Sequence, residues 1–183
     1  MENIARKRGS LWFAVLTAIC VCSGGAAAGE GGVEDGPFRV RMRDNEVAYA
    51  LKRVLRGADQ RLDDPVCREV MTDFRDASAR TLEEALAAHG VSARTYLRWV
   101  LFAEDQGSKA CKTSGTVAAT EPGSRVVFIC PRSFLEMART DPEDAEATMI
   151  HEMLHSLGLG ENPPRSREIT ERVLSRCASS HAR

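Results

Sequence analysis

Residues 151–161 read His151-Glu152-Met153-Leu154-His155-Ser156-Leu157-Gly158-Leu159-Gly160-Glu161. Two histidines four residues apart on a helix share one face, one turn from each other. Both imidazoles can then donate a nitrogen to a single ion at about 2.0–2.1 Å. Glu152 is offset from that face but stays close to such an ion. A carboxylate placed there can polarise a metal-bound water, take its proton and pass it to a leaving group. All of this requires the segment to be helical.

The residues ahead of the motif supply the helix start. Asp141-Pro142-Glu143-Asp144 offers an N-cap aspartate, a first-turn proline and acids that favour the positive end of the helix dipole. Ala145, Met149, Ile150, Met153, Leu154 and Leu157 give the helix a broad apolar surface, which predicts a central position. Gly158 and Gly160 end it. Asn162-Pro163-Pro164 reads as a rigid turn. Ser166 then opens a last helix with Ile169, Val173, Leu174 and Cys177 inward.

Upstream, residues 44–57 carry Val47, Leu51, Val54 and Leu55 at helical spacing, with Gly57 as a stop. Asp64-Pro65 begins a helical stretch over 64–89 that breaks near Ser78 and ends at Gly90. Ser92 caps a third helix with Tyr96, Leu97, Val100 and Leu101 on its apolar side. Trp99 reads as core and His89 as a solvated histidine. Val126 to Cys130 is a short β-branched run stopped by Pro131, hence a strand. Glu121-Pro122-Gly123-Ser124 is a turn, so 113–120 and 126–130 form a hairpin or sheet edge. The expected architecture is a small, mostly helical α+β domain.

The N-terminus reads as an address. Arg6, Lys7 and Arg8 precede an apolar run from Leu11 to Cys22 and small residues through Ala28. That order is a secretory signal peptide over residues 1–28, with an apolar run too short to span a bilayer at roughly 20 residues. Residues 29–40 follow as a Gly-rich acidic linker, and 41–183 as one domain. The chain of 183 residues carries a net charge of −1, and −3 once residues 1–28 are removed, which argues against a nucleic-acid binder. The expected protein is secreted or periplasmic, monomeric and without stable membrane insertion. Of 6 cysteines, Cys20 and Cys22 leave with the signal, and Cys67, Cys111, Cys130 and Cys177 remain. An even number in an exported chain reads as two disulfides. Four cysteines allow three pairings, and sequence alone does not choose among them. The expectation carried forward is Cys111–Cys130, leaving Cys67–Cys177 to tie the first helical region to the C-terminus.

The central helix resembles the active-site helix of the zincin metallopeptidases, through the H-E-x-x-H of residues 151–155. The longer run HExxHxxGxx followed by Glu161 is similar to the metzincin branch, with Glu where that branch has a third histidine. The resemblance covers residues 148–161 and an upstream strand. It implies a zincin-like domain that binds Zn2+ through His151, His155 and Glu161, with Glu152 as general base. It implies that Gly158 turns the chain back toward the ion. Glu168 is the alternative third ligand, as in the branch that takes a Glu from a later helix. The metzincin Met-turn is absent, and 28 residues follow His155, few for the usual C-terminal part.

Under this resemblance the expected function is an exported zinc metallopeptidase acting on a peptide or protein. The alternative is a secreted binding or inhibitory module that keeps the fold without turnover. Val126–Cys130 is the candidate edge strand for substrate backbone, with a core strand as the equal alternative. Tyr96, Arg165, Arg167 and His181 are the candidate donors to a reaction oxyanion.

Overall fold

The computed structural model of the chain describes residues 36–105 and 107–177. The expected signal peptide, most of the linker and His181 lie outside the described residues. Strand β1 is Arg39–Arg41. Helices α1 (Asn45–Arg61), α2 (Pro65–Arg68), α3 (Val70–Asp73), α4 (Leu82–His89) and α5 (Ala93–Trp99) follow. Strands β2 (Leu101–Glu104), β3 (Ala118–Ala119) and β4 (Val126–Ile129) come next. Helices α6 (Pro131–Thr140), α7 (Pro142–Ser156) and α8 (Ser166–Cys177) complete the fold. This is an α+β arrangement, mostly helical, with one small sheet.

Capping side chains set many of these boundaries. Asp44 accepts from the Glu46 and Val47 amides at the start of α1, and Ser92 accepts from Thr95 at the start of α5. Thr81 and Glu84 form a reciprocal capping box on α4, and Gly90 ends that helix in the left-handed region. Asp141 accepts from the Asp144 amide, and Pro142 occupies the first turn of α7, as the sequence predicts.

Four local expectations change. Helix α1 runs through Gly57 to Arg61 rather than stopping. The Glu146 carboxylate packs over this glycine, and a Cβ would lie 2.1 Å from its Oε1, so the side chain would have to move. That carboxylate reaches across to pair with Arg61 at 2.6 Å. The third helix ends at Trp99, and Leu101–Glu104 is a strand. Residues 131–140 form a helix, because Pro131 both stops β4 and starts α6. Arg39–Arg41 pair with β2, so ordered structure begins inside the stretch read as linker.

The sheet order is β1-β2-β4-β3. Strands β1, β2 and β4 are parallel, while β3 is antiparallel to β4 through the expected hairpin. Strand β4 therefore lies between two neighbours, and the core-strand alternative for 126–130 is the correct one. The edge is β3. Tyr96, Phe102, Phe134, Leu51 and Ile129 fill the core, with Met149 and Ile150 of α7 among them. Trp99 is half-buried against that core, and His89 is exposed at its rim. Ten residues of α7, including His151, Glu152 and His155, are buried, which fits the central place read from its apolar surface. Disulfides join Cys67 to Cys177 and Cys111 to Cys130. The first fastens the end of α8 to α2. Among the described residues, no helix is long and apolar enough to cross a membrane.

Candidate metal centre

The last two turns of α7 present His151 and His155 on one face. Their Nε2 atoms stand 2.9 Å apart. Gly158, at φ 109°, takes a left-handed turn that reverses the chain after α7. The reversal brings the Leu159 carbonyl to His155 Nδ1 at 2.8 Å. It also returns Glu161, whose Oε1 lies 3.2 Å from His155 Nε2 and 3.7 Å from His151 Nε2. Two imidazoles and one carboxylate thus converge on one point and form a group that can hold a metal ion.

Partners behind the rings hold them in place. The Leu159 carbonyl only accepts, so His155 carries its proton on Nδ1 and turns a lone pair inward. His151 Nδ1 lies 2.9 Å from the Thr170 hydroxyl, which donates its own proton to the Ser166 carbonyl at 3.2 Å. The Thr170 hydroxyl thus holds the His151 ring in place from α8. Burial, and secondarily the charge His155 would carry, push the His151 pKa down to about 3. The two Nε2 atoms face each other at 2.9 Å across the point that Glu161 also approaches.

Glu152 sits beside this triangle, 6% exposed. Its Oε2 is buried without a hydrogen-bond partner. Burial raises its pKa to about 7, with the Thr120 side chain lowering it and the charge of Glu161 raising it. A cavity of about 380 Å3 opens onto Glu152, His155 and Glu161, and Ala118 and Thr120 of the β3 segment line its other wall. Val117 accepts from the Cys130 amide at 2.9 Å, and Ala119 pairs with Phe128. By the alternation of an antiparallel ladder, the N–H and C=O of Ala118 turn away from β4, along the free edge.

Comparison with protein-family models, with curated proteins and with solved structures finds no match.

His151, His155 and Glu161 are brought together, the histidines as their spacing suggests and Glu161 as the resemblance implies. Glu168 is not: it is exposed and accepts from the Arg165 amide at 3.0 Å, the role of a capping-box acid at the start of α8. Tyr96 is buried and its hydroxyl donates to the Ser156 carbonyl. Arg167 pairs with Glu171 on the surface. Neither these two nor Arg165 line the cavities at the site. Sequence reasoning missed Thr170 and Thr120. Thr170 had a signal: it is a hydroxyl beside Ile169 on the inward stripe of α8. Thr120 had none, because its role depends on a hairpin register.

Proposed function

We propose that this chain is an exported zinc-dependent metallopeptidase. The observation that carries the reading is the triangle of His151 Nε2, His155 Nε2 and Glu161 Oε1, with sides of 2.9, 3.2 and 3.7 Å. A tetrahedral zinc with donors at about 2.0–2.1 Å sets its ligands about 3.3 Å apart, close to the mean of those sides. Two imidazoles and a carboxylate suit zinc and form a known catalytic donor set. A purely structural zinc has four protein donors, whereas among the described residues three are grouped and a cavity adjoins them.

Zinc in such a site supplies Lewis acidity toward water and a peptide carbonyl. The remaining steps belong to the chain. Extended substrate backbone pairs with the Ala118 N–H and C=O along β3, with no demand on side-chain sequence. Glu152, through its unpartnered Oε2, takes the proton of the attacking water and delivers it to the leaving amine. A carboxyl with a pKa near 7 before any cation is bound moves toward the ionised, basic form when a divalent charge arrives. Two disulfides suit an oxidising compartment outside the cytosol, consistent with the signal read at residues 1–28.

Wild type and Glu152→Gln decide the matter, each measured for zinc content and for cleavage of an unfolded protein. One zinc per chain in both, with cleavage in wild type alone, is the expected result. A wild type that takes up no zinc overturns the reading.

A further inference from the structure

A second cavity, about 410 Å3, opens on the His151 side of the site. One face of α7 lines it, through Asp144, Thr148, His151 and Glu152, and Met137 of α6 adds an apolar wall. Asp144 stands two helical turns from His151, about 10 Å along the axis. A long side chain on a backbone held at the metal site and the Asp144 side chain reaching toward it span that distance together.

Among the described residues, Asp144 and Glu152 are the acidic side chains lining this cavity, and no lysine or arginine lines it. The Asp144 carboxylate is not the cap of the helix, because Asp141 already accepts from the Asp144 amide, and it contributes there only through the helix dipole. Its neighbour Glu143 has a partner in Arg61 at 3.5 Å. Among the described residues no arginine or lysine pairs with Asp144, and burial, followed by the charges of Asp141 and Glu143, raises its pKa. Lys112 and Arg132 line the adjoining outer cavity, where Glu136 and Asp141 balance them. The cavity by His151 thus has an apolar flank and a single carboxylate at its far end. An arginine or lysine fits that chemistry, because its stem packs on apolar surface while its cation meets the acid.

We propose that Asp144 sets substrate specificity, and that this cavity takes the arginine or lysine side chain of a peptide lying along β3. The proposal rests on the peptidase reading and deepens it by naming the substrate class. An acidic side chain in the same place meets like charge from Asp144 and is rejected.

The test has a cleavage arm and a binding arm, both with zinc-loaded protein. In the first, wild type and Asp144→Asn act on a mixed peptide library, with cleaved bonds mapped by mass spectrometry. Arginine or lysine at one fixed position from the cleaved bond is expected in wild type. Asp144→Asn should lose about 10- to 100-fold in kcat/KM on those peptides, the range for a hydrogen bond to a charged group. Peptides with norleucine there should stay within about twofold of wild type. Cleavage with no basic preference, or the same preference in Asp144→Asn, overturns the proposal. If wild type cleaves nothing, the peptidase reading falls, and the binding arm decides Asp144 separately. There Glu152→Gln, with and without Asp144→Asn, binds fluorescent peptides carrying arginine or glutamate. Equal affinity for the two peptides, or a preference that survives Asp144→Asn, overturns the proposal. Unchanged thermal unfolding of Asp144→Asn confirms that a loss is not misfolding.

Discussion

The Thr170 hydroxyl lies 2.9 Å from His151 Nδ1 and also bonds the Ser166 carbonyl at 3.2 Å. One side chain on α8 thereby orients the ring of a histidine on α7 whose Nε2 faces His155 and Glu161. Groups placed behind metal-binding histidines in this way govern ring orientation and basicity.

Thr170→Val keeps the shape and removes the hydroxyl. Zinc affinity should fall about 10- to 100-fold, and Thr170→Ser should restore most of it. Competition with a chelator of known affinity measures both variants without any need for turnover. Equal affinity in the valine variant and wild type would show that the hydroxyl does not orient the ring.

The second prediction concerns pH in the metal-free protein. Burial holds Glu152 near a pKa of 7, above its ordinary 4.5, so the fold keeps a proton that the unfolded chain releases in that interval. Its contribution to stability is complete below pH 4.5 and is lost as pH rises through about 7. Glu152→Gln cannot ionise, so it should gain on wild type with rising pH, by up to about 3 kcal/mol above neutrality. His151 has the opposite slope, costing stability as pH falls from 6.5 toward 3, but it does so in both proteins and leaves the difference largely intact. Thermal unfolding with chelator at about pH 5 and about pH 8 checks this. A difference that does not change with pH would mean that Glu152 titrates normally.

The third prediction separates the disulfides. Cys67–Cys177 spans 110 residues and Cys111–Cys130 spans 19. On the chain-entropy account, a loop of about 100 residues contributes about 4.7 kcal/mol and one of about 15 residues about 3 kcal/mol. Replacing both cysteines of the long bridge by alanine should therefore cost more than doing so for the short one. Denaturant unfolding of the two double variants gives the order, and the reverse order would count against the account. The long bridge should matter to the site as well, since it anchors the helix that carries Thr170.

Much of the metal centre was legible because it is local. Asp141-Pro142 starts α7, the i, i+4 histidines fall on one face, and Gly158 supplies the left-handed turn that returns Glu161. The choice between Glu161 and Glu168 was not legible from the residue pattern. Glu168 is taken by the Arg165 amide, and only the turn shows which carboxylate comes back. The sheet was the least legible part. Leu101 continues the apolar spacing of Tyr96, Leu97 and Val100, so β2 reads as helix. Its parallel partners, β1 and β4, lie far away in sequence and override that local pattern. Helix α6 was hidden by Pro131, which ends a strand and begins a helix with the same residue.

The fourth prediction tests the edge strand. The Ala118 N–H points away from β4 and lines the cavity wall facing Glu152 and His155. Proline is tolerated on an edge strand where its missing N–H faces outward, so Ala118→Pro should fold. It should bind zinc as wild type does, because none of the three donors moves with it. What it loses is one main-chain hydrogen bond to extended substrate, worth about 0.5–1.5 kcal/mol, or a fall of about 3- to 10-fold in kcat/KM. The fall should be similar for peptides of different sequence, since the bond is to backbone. Zinc content and kcat/KM on two unrelated peptides measure this together. A variant with full zinc and undiminished cleavage would place the substrate elsewhere than along β3.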